Sequence, residues 1–284
     1  LKGVAPDASI IAYKVLDSGG SGNVENLILS AIDRSYDLDG DGFIYGIHSE
    51  EDNPEDIVDI ISMSLGGSGN PDDPMSTAID NAVDAGVVAV IAAGNDGPGE
   101  QTIGSPGTAR KAITIGASDK QDNISDFSSR GPVVWGDVNN IQYLIKPDII
   151  ATGVNICAAQ WDNAFENKGA NGDCNNDNNH VAISGTSMAT PHVAGAVALI
   201  KQSHPDWTPE EIKVSLKGTA KDLGQSSSIQ GAGRIDVVKV VKLTSPLNNY
   251  FDFGIVSTSG KIHNLHDKIQ IKGLFPQIYD SLKI

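Results

Sequence analysis

The sequence predicts an α/β fold with a doubly wound, mostly parallel sheet. Three features of the 284 residues support this: apolar runs alternate with segments of helical spacing, some runs are apolar on both faces, and glycine-rich loops follow them. Runs that are apolar on both faces are typical of parallel strands covered by helices on each side. The length is sufficient for one sizeable core and a second small unit.

The first elements form two strand-and-helix units. Residues 8–16 read as a mostly apolar strand, and residues 23–36 follow with the apolar spacing of a helix. Residues 57–65 repeat the strand pattern, and a helix is predicted over 76–85, with Gly86 at its C-cap. The repetition favours parallel pairing of the two strands.

The later elements extend the same sheet. Residues 87–93 are apolar on both faces, and short strands are predicted at 112–116 and 146–150. Thr208 and Glu211 form a capping box, with Pro209 at the first helical position, so another helix begins there.

The segment 184–195 reads as the start of a tightly packed helix. Gly185 allows a tight turn, and Thr186 is a suitable N-cap, which places Ser187 at the helix N-terminus. Free backbone N–H groups and the helix dipole favour negative charge at that position. Pro191 cannot donate to the carbonyl of Ser187, so we expect the first turn to bend.

The charge excludes several classes of partner. The chain has 20 Lys and Arg against 36 Asp and Glu, a net charge of −16, which argues against nucleic acid and anionic membranes. No apolar run is long enough to span a bilayer. We expect a monomeric protein.

The two cysteines, Cys157 and Cys174, enclose a polar segment rich in Asn. A loop enclosed by the only cysteines of a chain is most simply explained by a disulfide, although two buried thiols are the alternative. A disulfide indicates an oxidising, extracytoplasmic location, so we expect a secreted or cell-surface protein.

The string Gly-Thr-Ser-Met-Ala-Thr-Pro-His-Val-Ala-Gly at 185–195 resembles the nucleophile segment of the subtilisin-like serine peptidases. The resemblance extends from Leu1 to about Val241, and it implies that Ser187 is the catalytic nucleophile. It also implies that Asn95, in Ala-Ala-Gly-Asn, donates to the oxyanion, a role suited to an amide that does not titrate. The resemblance further implies that three loops bind an extended peptide substrate; their residues are Gly20, Ser21, Gly22, Ser64, Leu65, Gly66, Ala93 and Gly94.

A serine nucleophile needs a histidine base and an acid that orients it. Asp17 and His192 resemble parts of the corresponding family segments, but the neighbours of Asp17 match a substrate-binding strand, and His192 lies on the Ser187 helix with its ring directed elsewhere. Because the family order is Asp, His, Ser, we expect both residues upstream of Leu1.

Residues 37–44 place carboxylates at alternate positions, with Gly42 at the sixth. This spacing suits calcium, although a solvated acidic loop is the alternative. The expected ligands are Asp37, Asp39, Asp41 and the carbonyl of Phe43. His48 stands where an EF-hand has Glu, so Glu50, Glu51 or Asp52 is expected to complete the site. Subtilisins of hyperthermophilic archaea resemble this chain in carrying an acidic calcium loop at this place.

The sequence predicts two segments with different structures. Residues 1–242 are expected to form a peptidase domain that lacks its N-terminal part. Residues 243–284, with predicted strands at 251–256 and 268–272, read as the start of a truncated β-rich C-terminal domain or as a linker.

The sequence therefore predicts a calcium-binding serine endopeptidase that hydrolyses protein or peptide substrates. A non-catalytic homologue that binds extended peptides through the same loops is the alternative. An upstream Asp strand and His segment distinguish the enzyme from the binding protein.

Overall fold

A computed structural model describes residues 2–17, 25–40, 56–160, 174 and 179–247. In chain order the elements are α1 (Glu25–Asp33), β1 (Ile60–Met63), α2 (Pro74–Asp84), β2 (Val88–Ala92), β3 (Ile113–Ser118), β4 (Val133–Asp137), β5 (Asn140–Leu144), β6 (Ile149–Thr152), β7 (Ile156–Ala159), β8 (His180–Ile183), α3 (Thr186–Ser203), α4 (Pro209–Thr219), α5 (Ser227–Gln230) and α6 (Val237–Val241).

The core is a four-stranded sheet in the order β1-β2-β3-β6. All three pairings are parallel, with Ile60 opposite Val88, Val90 opposite Ile113, and Ile115 opposite Ile149. Parallel neighbours need a crossover connection, and α2 forms the crossover between β1 and β2. The predicted parallel sheet is confirmed.

Helices cover both faces of the sheet. Val88 and Val90 pack in one cluster with residues of α3 and α4, whereas Ala89 and Ile91 pack in another with residues of α1 and α2. All five residues of β2 are therefore buried, as expected for a strand covered on both sides. This arrangement confirms the doubly wound architecture.

Two antiparallel pairs lie outside this sheet. β4 and β5 form a hairpin, and β7 pairs with β8. Cys157 of β7 forms a disulfide with Cys174, with Cα atoms 5.7 Å apart. The predicted disulfide is present in the structure.

The predicted strand at 8–16 is wrong. Residues 2–17 contain no helix or strand, and Ile10 and Ile11 are 87% and 57% exposed. A strand requires a paired neighbour for its backbone groups, and within the described ranges β1 pairs only with β2. Apolar composition alone therefore does not give a strand here. The predicted strands at 251–256 and 268–272 lie outside the described residues.

A buried group of charges lies at the amino end of β6. Lys146 and Asp148 are 0% and 3% exposed, and the Lys146 ammonium lies 2.7 Å from Asp148 Oδ2. Lys213 and Lys217 of α4 place their ammonium nitrogens 3.4 and 3.6 Å from Asp148 Oδ1. One carboxylate thus faces three ammonium groups and joins β6 to α4.

No helix in the described part of the chain is long and apolar enough to cross a membrane.

Candidate active site

The site forms where β1 and β2 end and α3 begins. Ser64 follows β1, Asn95 follows β2, and Ser187 is the second residue of α3. Parallel strands bring their carboxyl ends to one edge of the sheet, so these residues meet although they are distant in sequence. Ser187 Oγ donates to the Ser64 carbonyl at 3.4 Å, and Ser64 Oγ donates to the Ser187 carbonyl at 3.0 Å.

Pro191 explains the second of these bonds. It lies inside α3 and has no N–H, so the carbonyl of Ser187 lacks its intrahelical donor. The hydroxyl of Ser64 supplies the missing hydrogen bond. The proline predicted to free this carbonyl therefore allows the end of β1 to attach to the serine segment.

The predicted N-cap at Thr186 is wrong. Gly185 is the N-cap residue and provides no side-chain cap, and Thr186 is the first helical residue. Thr186 instead donates its backbone N–H and its hydroxyl to Asn95 Oδ1, at 2.9 and 3.1 Å. Because both bonds use the amide oxygen, Asn95 is oriented with its Nδ2 donor available.

The N–H groups at the start of α3 show where an anion can bind. Thr186 N–H is used by Asn95, whereas Met188 and Ala189 both donate to the Gly185 carbonyl. Among the described residues, the Ser187 N–H has no acceptor. This N–H and the Asn95 amide are two donors at the start of α3, and stabilisation of an oxyanion requires donors of this kind.

Two of the three predicted substrate loops lie in the described residues. Leu65 and Gly66 follow Ser64, and Ala93 and Gly94 precede Asn95. Gly94 has a φ of +110°, and a side chain there would also lie 2.7 Å from Ser129 Oγ, so the turn requires glycine. The third predicted loop, Gly20, Ser21 and Gly22, lies outside the described residues.

The sequence pattern that defines the Subtilase family matches residues 1–233. The chain belongs to the subtilase family. It is 40% identical over 248 residues to serine protease AprX of Bacillus subtilis, an alignment that covers 83% of this chain and 52% of AprX. It is 33% identical over 234 residues to subtilisin Savinase of Lederbergia lenta, covering 82% of this chain and 68% of that protein.

A solved structure of proteases from Pseudoalteromonas arctica gives the same fold assignment. Its TM-score is 0.59 at 29% identity, covering 84% of this chain and 64% of that chain. The present chain thus spans about half the length of AprX and two thirds of Savinase.

The histidines of the described part of this subtilase have other contacts. His192 Nδ1 lies 2.8 Å from the Met188 carbonyl of its own helix. His204 stacks on Trp207 with ring centroids 4.1 Å apart, and His180 begins β8 opposite Ala159. Asp17 ends the N-terminal segment that forms no strand. The contact of His192 with its own helix agrees with its rejection as the base for Ser187.

An acidic cluster lies after α1. One carboxylate oxygen from each of Asp37, Asp39 and Asp56 lies within 4.8 Å of the other two. Asp56 is 2% exposed, and its Oδ1 accepts the Asp39 N–H at 2.7 Å. Among the described residues, Asp56 Oδ2 is buried without a hydrogen-bond partner. A buried carboxylate oxygen without a partner is costly, and a cation bound by the cluster would remove that cost.

The sequence pattern missed Asp56, because it follows a run of charges and nothing local indicates burial. The Leu38 N–H donates to the Asp56 carbonyl at 3.0 Å, which brings the two segments together. The other predicted ligands, Asp41, Phe43 and Asp52, lie outside the described residues. Nearby, burial and the carboxylates of Asp33 and Asp37 raise the pKa of Tyr36 to about 12.

Proposed function

We propose that this chain is the nucleophile-bearing part of a serine endopeptidase that hydrolyses peptide bonds. The supporting observation is the pair of donors, the Ser187 N–H and the Asn95 amide, beside the Ser187 hydroxyl. Ser187 Oγ attacks the scissile carbonyl, and the two donors hold the oxygen that becomes negative. The positive end of the α3 dipole stabilises the same charge.

The transition-state stabilisation that an oxyanion donor provides is known for a member of this family. In a subtilisin, loss of the asparagine donor costs about 2.7–4 kcal/mol of transition-state stabilisation. Thr186 makes two bonds to the Asn95 oxygen, so the amide is held in place before the reaction. Such preorganisation avoids a reorientation cost when the charge develops.

The base and the acid come from the part of the protein upstream of Leu1. Proton transfer from Ser187 requires a histidine within hydrogen-bond reach and an acid on its other ring nitrogen. The family order of Asp, His and Ser agrees with this assignment.

The substrates are proteins or peptides bound in an extended conformation. Residues 64–66 follow β1 and residues 93–94 follow β2, at the edge of the sheet where α3 begins, and this position suits pairing with a peptide main chain. Residues 20–22 are proposed to add a further paired edge. The net charge of −16 disfavours nucleic acid as a ligand.

Peptide hydrolysis by two forms of the protein tests this function. The form with its upstream residues is expected to hydrolyse a chromogenic peptide, and this chain alone is expected to show no turnover. Full activity of this chain alone would contradict the upstream assignment. Peptide binding without hydrolysis by the extended form would support the non-catalytic alternative.

We also propose that calcium binds Asp37, Asp39 and Asp56, with Asp41, Phe43 and Asp52 as further ligands. The buried, unpaired Asp56 Oδ2 supports this proposal, and hard oxygen ligands suit calcium. The disulfide between Cys157 and Cys174 supports secretion, because such bonds persist in oxidising compartments.

Removal of calcium is expected to lower the melting temperature. A ligand that binds only the folded state at a hundredfold excess over Kd contributes about 2.7 kcal/mol, or roughly 5–10 °C for a domain of this size. Calorimetry of the Ser187→Ala protein, which prevents autolysis, compares calcium with excess EDTA.

Asp56→Asn is expected to abolish the response to calcium. Asp137→Asn is the matched control, because Asp137 also accepts backbone N–H groups in a loop, those of Asn139 and Asn140, but lies outside the cluster. Identical melting curves in calcium and EDTA would refute the calcium site.

A further inference from the structure

The turn at Gly104 and Ser105 connects the two described substrate loops. Gly104 N–H donates to the Ala93 carbonyl at 3.2 Å. Ser105 and Gly67 exchange two backbone bonds, with Ser105 N–H to Gly67 carbonyl at 2.8 Å and Gly67 N–H to Ser105 carbonyl at 2.9 Å. The loop after β1 and the loop after β2 are therefore held at a separation that this turn determines.

The backbones of residues 66–67 and 104–105 are packed against each other without free space. A Cβ atom added to Gly66 would lie 2.8 Å from the Ser105 carbonyl oxygen, and one added to Gly104 would lie 2.8 Å from the Gly67 oxygen. Both distances are below normal van der Waals contact. A displacement of Ser105 therefore moves Gly66 and Gly67 with it, because packed atoms transmit strain.

Ser105 is held from the opposite side by Asp73. Its hydroxyl donates to Asp73 Oδ1 at 2.9 Å, and the same oxygen accepts the Ser76 N–H at 2.8 Å as the N-cap of α2. Asp73 Oδ2 accepts the Asn70 N–H at 2.9 Å. Ser105 is fully buried, so its bond to the carboxylate is shielded from water.

The space around this bond is filled. A Cβ atom at Gly69 would lie 2.1 Å from Asp73 Oδ2 and 2.4 Å from Ser105 Cβ. The Ser76 hydroxyl, also buried, lies 3.2 Å from the Ser105 hydroxyl and 2.9 Å from that of Thr108. The Asp73 carboxylate thus caps α2 through the Ser76 N–H and also accepts the Ser105 hydroxyl. Through Ser105, which pairs with Gly67, the second bond connects Asp73 to the substrate loops.

We propose that Asp73 is a positioning residue for peptide binding, which through Ser105 fixes the separation of the substrate loops at residues 65–67 and 93–94. This inference rests on the proposed peptide-binding role of those loops. It assigns to Asp73 an effect on extended substrates and none on the attack by Ser187. Among the hydrogen bonds of the described residues, neither Asp73 nor Ser105 pairs with Ser187 or Asn95.

The test uses the protein with its upstream residues and two substrates. One is a peptide anilide with four residues on the acyl side, which engages the loops, and the other is p-nitrophenyl acetate, which needs only Ser187 and the oxyanion donors. Asp73→Ser is expected to raise KM for the peptide about tenfold, the scale of one hydrogen bond to a charged group, and to leave ester hydrolysis within about twofold. Serine is itself a favourable N-cap, so α2 is retained.

Ser105→Ala removes the same bond from its other end while Asp73 remains the cap. We expect the same rise of about tenfold in peptide KM, and the double variant is expected to show about tenfold rather than about a hundredfold, because both changes remove one interaction. Asp236→Ser is the matched control: Asp236 caps α6 by accepting the Lys239 N–H at 3.0 Å and has no bond to the loops.

The outcomes separate this inference from the proposed function. If the unaltered protein hydrolyses neither substrate, the proposed function fails. If it hydrolyses both but peptide KM stays within about twofold in Asp73→Ser and Ser105→Ala, the positioning role is overturned and the function stands. An equal loss of activity toward the ester and the peptide overturns the positioning role as well. So does a rise in peptide KM of about a hundredfold in the double variant, because the two changes would then be additive.

Discussion

Ser187→Ala, in the protein with its upstream residues, is expected to lower kcat for peptide hydrolysis by about 10⁶-fold, the scale measured for the nucleophile of a subtilisin. The variant keeps the Asn95 and backbone donors, so a residual rate above that of water is expected. The helix should be unaffected, because Ser187 provides no cap and its carbonyl still accepts from Ser64.

Covalent labelling gives an independent measurement of the same residue. A fluorophosphonate is expected to modify Ser187 and to leave Ser187→Ala unmodified, as read by mass spectrometry of the peptide that contains residue 187. Ser184→Ala is the matched control: Ser184 lies three residues upstream and accepts the Asn155 N–H at 3.0 Å. Its activity and labelling should be unchanged. Undiminished activity in Ser187→Ala would falsify the assignment.

The core of the fold could be predicted because its sequence signals are local. The run at 87–93 is apolar on both faces, and β2 is buried at every position. Thr208 forms its capping box with Glu211, donating its N–H at 2.8 Å and accepting the Glu211 N–H at 3.3 Å. In these places local preference and tertiary packing agree, which is the condition under which sequence patterns are informative.

Other features depend on residues that are distant in sequence. Thr186 is a residue type that commonly caps helices, but its hydroxyl donates to Asn95, 91 positions away. Asp56 became a candidate ligand because the fold buries it beside Asp37 and Asp39, 17 or more positions away in sequence. In each case a tertiary contact overrides the local preference.

The candidate site also combines features that the sequence predicts with features that only the structure shows. The resemblance to subtilisins predicted Ser187 and Asn95 as site residues, and the structure places Asn95 in contact with Thr186, the neighbour of Ser187. The sequence shows that Pro191 leaves the Ser187 carbonyl without a helical donor, but it does not show that Ser64 supplies one, because Ser64 is 123 positions away. The link from Asp73 to the substrate loops through Ser105 also carries no local sequence signal.

Asp148→Asn is expected to lower the free energy of unfolding by about 3–5 kcal/mol at pH 7, because it removes the only carboxylate found among three ammonium groups in the described structure. Burial by itself raises the pKa of Asp148, but the ammonium groups of Lys146, Lys213 and Lys217 together hold it below its ordinary value. Burial lowers the pKa of Lys146 to about 7, against the effect of Asp148.

The pH dependence of the unfolding free energy follows from these directions. The pKa of Asp148 is lower in the folded state, so its contribution is present above the unfolded value of 3.8 and is lost as the pH falls further. The unfolded chain also binds more protons at Lys146 between pH 7 and 10.5, so that group makes stability rise with pH over this range.

Denaturant unfolding at fixed calcium, in a Ser187→Ala background, compares the parent with Asp148→Asn at pH 7 and at pH 3. The difference between them is expected to shrink at pH 3, because only the parent loses the contribution of a charged Asp148.

Asp122→Asn is the matched control: Asp122 also has cationic partners, Lys221 and Arg234, each at 2.6 Å, but is 23% exposed. An exposed pair contributes about 0–1 kcal/mol, and asparagine tolerates the φ of +71° at this position. Equal losses in the two variants at pH 7, or a difference that does not change with pH, would show that the buried charges do not stabilise the junction of β6 and α4.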